Sequence, residues 1–155
     1  MSAYSIILFL HSWLRWVVLI LALVAIVKSL SGWLGNKPFT KSENGIGGAF
    51  VGTMHLQLVL GLLLYFVFSA YGFKAISAAG MGEVMKDSTA RFWGVEHIFM
   101  MILAVVFAQI GRSRSKRAVS DMQKHKSAAI FFIIALLLVL SRIPWTETAR
   151  LFRGF

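Results

Sequence analysis

Four apolar segments limit what this 155-residue chain can fold into. They fall at about 4–29, 46–72, 89–111 and 121–145, the last with its apolar part from 127 onward. Each approaches or exceeds the roughly 20 residues a helix needs to cross the hydrocarbon core of a bilayer. In lipid only helices and closed barrels satisfy every backbone N–H and C=O. No segment alternates apolar and polar residues as a barrel strand would. The expectation is an all-α membrane protein: an up-down-up-down bundle of four transmembrane helices in one domain spanning 1–155, with 146–155 as an interfacial tail. The chain is 58% hydrophobic. Its mean hydropathy is +0.76, more apolar than one soluble core can hide. The first segment is too long for the apolar core of a signal peptide and lacks a basic stretch before it, so it is expected to stay as the first span.

Local punctuation supports four helices. Asp87, Ser88 and Thr89 offer caps for the third. Ser120 with Gln123 reads as a capping box opening the fourth, and Pro144 with Trp145 marks its exit. Trp13, Trp16, Trp33, Trp93 and Trp145 lie near span ends, where amphipathic rings favour the interface.

The net charge of +10 would point to nucleic acid in a soluble chain. Here the basic residues flank the spans, so the bilayer is the expected partner and nucleic acid is excluded. The face holding the 1–2 and 3–4 loops carries nine Lys and Arg, against six on the face holding the 2–3 loop and the termini. The positive-inside rule then puts the basic 3–4 loop in the cytoplasm of a bacterial inner membrane and both termini outside. That loop would meet a partner or anionic lipid.

The absence of Cys removes disulfides, thiolate metal sites, iron–sulfur clusters and covalently attached c-type haem. What remains is histidine. His11, His55, His97 and His125 each lie in the N-terminal part of a different helix. In an up-down bundle His11 and His97 share one end, while His55 and His125 share the other. Helices 1 and 3 are diagonal, so two imidazoles there can reach one metal from opposite sides, as bis-histidine ligation of a haem requires. Gly94 and Gly52 each precede a histidine by three positions ("GVEH", "GTMH") and would leave a bare patch for a flat porphyrin. Close helix packing is the other use of such glycines.

Arg15 follows His11 by one turn, and so deep a charge needs a partner. Glu96 is one candidate and haem propionates are the other. Arg91 and Arg142 lie near the same end and could also reach propionates. At the other end, His125 lies two residues before its apolar part, so it reads as a solvated loop-end residue. His55 would then ligate with another partner, or bond Gln109 or a carbonyl instead. Two histidines with few carboxylates are thin ligation for zinc or copper.

"HSWLRWVVLILALVAI" (11–26), "HLQLVLGLLLYF" (55–66), "RFWGVEHIFMMILA" (91–104), "IGRSRSKRA" (110–118) and "IPW" (143–145) together resemble a family of small bacterial four-span membrane proteins catalogued as cytochrome b or cytochrome b-like. The resemblance covers all four spans. It implies a non-covalent haem b, with His11 and His97 as first ligands and a second haem only if His55 and His125 meet. The expected function is electron transfer, with a quinone or a larger membrane complex as redox partner. Bis-histidine ligation closes the iron to substrate, so a carrier fits better than a stand-alone enzyme, and no catalytic residue is assigned. The alternative is a haem-free accessory subunit of a larger respiratory or secretion complex.

Overall fold

The computed structural model describes residues 2–154. Four of its helices are long and apolar enough to cross a membrane, and no strand is present among the described residues. Helix α1 (Ala3–Leu34) begins at Ser2, whose hydroxyl accepts from the Ser5 N–H. It runs five residues beyond the expected end, because Ser29 and Gly32 are buried against the bundle. Helix α2 (Lys41–Leu63) starts five residues earlier than its apolar run, at a reciprocal capping box of Thr40 and Glu43. A π turn (Leu64–Phe68) extends it.

Two short helices then fill the connection, α3 (Phe73–Ala79) and α4 (Met81–Lys86). Neither stands out in the sequence. Asp87 caps α5 (Ser88–Arg91), its carboxylate accepting from the Ala90 N–H at 2.6 Å. A second π turn (Phe92–Glu96) leads directly into α6 (His97–Arg117). Ser120 caps α7 (Asp121–Ser141) as the sequence indicates, its hydroxyl accepting from Gln123. Helix α7 ends four residues short of the expected 145. The short α8 (Thr148–Leu151) follows.

Helix α1 packs against α2 and α7, and α6 packs against α7 and α2. The core between them is thin and built from small residues. Ala22, Ala104, Ala108, Ala129 and Ala135 are almost fully buried, with Phe50 and Phe132 edge to face at 5.0 Å. Small side chains let backbones approach closely where lipid offers no hydrophobic drive between helices. The outward faces stay apolar: Ile20, Val27, Val59, Leu137 and others are exposed.

Candidate functional site

His11 and His97 face each other, their ring centroids 6.5 Å apart and their planes at 66°. Their helices, α1 and α6, are joined only through the helices between them or by lighter contacts. His97 is the first residue after the Phe92–Glu96 π turn. Its Nδ1 hydrogen-bonds the Arg142 carbonyl at 2.9 Å, which leaves Nε2 free. Phe92 and Trp93 flank the His97 ring at 6.0 and 5.5 Å. The two π turns are tied together: Tyr65, in one, donates its hydroxyl to the Gly94 carbonyl, in the other, at 2.8 Å. Single π turns inside long helices are rare and gather at functional sites.

The glycine beside His11 comes from the neighbouring helix. A Cβ on Gly61 would lie 3.1 Å from His11 Cε1. Gly94 does other work: its bare surface faces Val84 and Ile76 of the short connecting helices. Gly52 faces open space. Neither Gly94 nor Gly52 therefore serves the histidine three positions after it; the glycine–histidine contacts shown are across helices and involve His11 and His125.

A cavity of about 140 Å³ opens beside the two rings. Exposed Tyr4 and Tyr71 border it, so it reaches the surface. The segment 148–153 covers its end. Trp13 and Trp16 donate their indole N–H groups to the carbonyls of Arg153 and Leu151 at 2.9 and 3.0 Å. Arg15 donates to the carbonyls of Arg150 and Leu151 at 3.1 and 2.9 Å. Phe152 stacks on Trp16, and Leu151 is buried. The Arg150 guanidinium sits 4.5 Å from the centre of the Trp93 ring and is ion-paired with Glu147. The tail is thus a strap fastened to α1.

Arg15 does not pair with Glu96. Glu96 is taken by Arg91 at 2.9 Å and approached by Arg142 at 3.5 Å, so α1 is left with strap carbonyls as its acceptors. Among the described residues, Arg15 and Arg153 have no carboxylate within ion-pair distance. Both line the cavity, as Arg150 does, whereas Arg91 and Arg142 do not. Arg150, Arg153, Gly61 and Tyr65 escape a reading of the sequence. The arginines lie beyond the last span, and the other two carry no local signal linking them to a histidine on another helix.

The other end differs. His55 is exposed on α2, its Nδ1 bonded to the Val51 carbonyl at 2.8 Å, and Gln109 is bonded to Ser113 instead. His125 is 1% exposed, so the solvated loop-end expectation does not hold. Its ring fills the space that Gly32 leaves on α1, with Phe39 at 4.9 Å and the Pro38 carbonyl at 3.4 Å. His55 is thus exposed on α2, and His125 is sealed between α1 and the Pro38–Phe39 loop.

No group of three or more His, Asp or Glu suited to a metal ion occurs among the described residues. Two histidines cannot complete a four-coordinate zinc site. A porphyrin iron brings four nitrogens of its own and leaves only two axial positions. With metal–nitrogen bonds of about 2.0–2.1 Å and ring centres roughly 1.2 Å behind each nitrogen, one metal held by both rings would set the centroids about 6.4 Å apart. Two imidazoles at this spacing match the number of axial positions, while the space beside them is smaller than a porphyrin. The cavity is close to one that holds benzene, so the rest of a porphyrin would need the opening at Tyr4 and Tyr71 and rotation of lining side chains such as Leu8, Leu58 and Leu62.

No protein-family model matches the chain, and no curated protein or solved structure does.

Proposed function

We propose that the chain is a b-type cytochrome-like electron-transfer protein of the bacterial inner membrane. Its four spans would run up, down, up and down, with the basic 3–4 loop in the cytoplasm, and His11 and His97 would hold one haem b. The observation that carries this reading is the His11–His97 pair, 6.5 Å apart across two helices, with the far nitrogen of His97 anchored. Metal-ligating histidines usually donate their second N–H to a carbonyl or carboxylate, which fixes the tautomer and the ring plane. When bound, the haem supplies reversible one-electron chemistry. The protein's own residues do the rest. The Arg142 carbonyl orients His97. The strap would cover one end of the cavity. Arg15, Arg150 and Arg153 place positive charge at the cavity, which favours the electron-rich state of whatever binds there and suits carboxylates.

A protein partner is favoured by a separate observation. His55 is exposed on a span among exposed Leu56, Val59 and Leu63. A polar ring facing lipid is costly, and a neighbouring subunit of a larger membrane complex would cover it.

The test is a reduced-minus-oxidised visible spectrum of detergent-purified protein, with the haem quantified as its pyridine complex. The expected result is a b-type spectrum at about one haem per chain. Two haems per chain would point to a second site and restore the His55–His125 pair. Folded protein carrying no haem, made with ample haem supply, would overturn the reading and leave a haem-free accessory subunit.

A further inference from the structure

We propose that the seam between α6 and α7, at the end that holds the 3–4 loop, binds one anionic phospholipid. The lipid phosphate sits on Arg114 and Arg117, and an acyl chain lies along Phe131 and Phe107. The proposal stands apart from the haem reading, because none of these four residues lines the cavity beside His11 and His97.

Charge at this end is far from balanced. Nine Lys and Arg lie on the face that holds the 1–2 and 3–4 loops, and few acids answer them. Glu43 is taken by Lys28 at 2.9 Å, and Asp121 by Lys124 at 3.0 Å. Arg112 donates to the Asn44 side-chain carbonyl at 2.6 Å. Among the described residues, Arg114 and Arg117 have no carboxylate within ion-pair distance. They stand three positions apart in the last turn of α6, so they share a face. Two planar guanidiniums on one face can grip a phosphate through paired N–H donors, a geometry that a lysine ammonium lacks.

Depth separates this pair from a basic cluster in water. The Arg114 guanidinium lies 5.3 Å from the centre of the Phe131 ring. Phe131 stands four residues beyond Ser127, where the apolar part of the fourth span begins. At 1.5 Å per residue that is about 6 Å along the helix. The Arg114 charge is thus drawn in to the boundary where headgroups meet hydrocarbon, and a charge at that level needs an anion beside it. Below it the aromatic surface continues, with Phe131 stacked on Phe107 at 6.2 Å and 28°. Both rings are only partly buried, and Ile110, one turn before Arg114, is exposed. Gly111 holds the two helices close, since a Cβ there would lie 2.6 Å from the Phe131 Cβ. The seam is one strip, cationic at the end of the bundle and apolar below. A phospholipid carries its anion and its chain in the same order, whereas free phosphate would use the arginines alone.

The experiment is native mass spectrometry of the full chain as purified in detergent, titrated with dioleoylphosphatidylglycerol and, separately, with dioleoylphosphatidylcholine. The expected result is one phosphatidylglycerol per chain, bound about 10-fold or more tightly than phosphatidylcholine. Arg114→Gln combined with Arg117→Gln is expected to remove that preference. Lys37→Gln combined with Lys41→Gln takes the same charge from the same end and is expected to keep it. Inorganic phosphate at the same concentration is expected to leave the lipid in place. Equal binding of the two lipids overturns the proposal, as does equal loss in the two double variants, which would mean diffuse attraction to the whole basic face. Displacement by inorganic phosphate overturns it too. If the Arg114 and Arg117 variant does not insert, Arg114→Lys combined with Arg117→Lys decides. That pair keeps the charge and loses the paired donors, so a preference reduced severalfold supports the site and an unchanged one overturns it. Haem content, measured on the same sample, tests the haem reading separately.

Discussion

Each end of the bundle packs a histidine against a glycine from another helix, yet only the His11 contact borders the cavity described above. At the Gly32–His125 contact the ring occupies the whole space the glycine leaves, between α1 and the Pro38–Phe39 loop. At the Gly61–His11 contact the ring borders a cavity and a second imidazole faces it. Burial of a polar ring is therefore a poor marker of function by itself. Both His11 and His125 keep a buried Nδ1 without a partner, so what separates the two ends is a second imidazole facing the first and open space beside them.

The sharpest test of this contrast is to remove one ring from each end. His97→Ala is expected to abolish bound haem, and His125→Ala to keep the full amount, measured per chain as the pyridine complex. Equal loss in both would erase the distinction. Next comes stability. Any side chain at position 32 overlaps the His125 ring, so Gly32→Leu is expected to cost about 1–3 kcal/mol or more by overpacking. The check is its thermal unfolding midpoint in detergent. An unchanged midpoint would mean His125 can leave its slot freely.

A smaller effect is expected for Arg15→Gln, which loses charged donors to the Arg150 and Leu151 carbonyls. Such bonds contribute about 1.5–3 kcal/mol when well buried, and less for this partly buried side chain. The readout is tryptic cleavage after Arg150 and Arg153, which should accelerate severalfold; an unchanged rate would show that the two tryptophans hold the strap alone. The smallest effect belongs to Gly52→Ala. Nothing lies within 4 Å of the added methyl, so stability should shift by less than about 0.5 kcal/mol with no change in haem content.

The four spans were legible because apolar length is a local property, and the caps at Asp87 and Ser120 were legible for the same reason. The start of α2 was not, since Thr40 and Glu43 cap a turn that is still polar. The pairing of His11 with His97 could be read from helix order alone. The partners of Arg15 and Glu96 could not. Arg91 and Arg142 stand on the same and the adjoining helix and reach Glu96 first, which leaves Arg15 to backbone acceptors that no sequence pattern marks. The glycines misled for a related reason. A residue three positions before a histidine shares its face, but a ring that leans across to a neighbouring helix needs its space there, at Gly61 and Gly32.

The strap also sets a clock. Trp13 and the carbonyl it grips at Arg153 are 140 positions apart. At translation rates of 5–20 residues per second, that carbonyl is made roughly 7–28 s after the indole. His97 precedes Arg153 by 56 positions, so the complete histidine pair has no cover on this side for about the last 3–11 s of that interval. Any guest of the cavity would meet an open end during biosynthesis, whereas in the finished protein that end opens only when the grips of Trp13, Arg15 and Trp16 are undone.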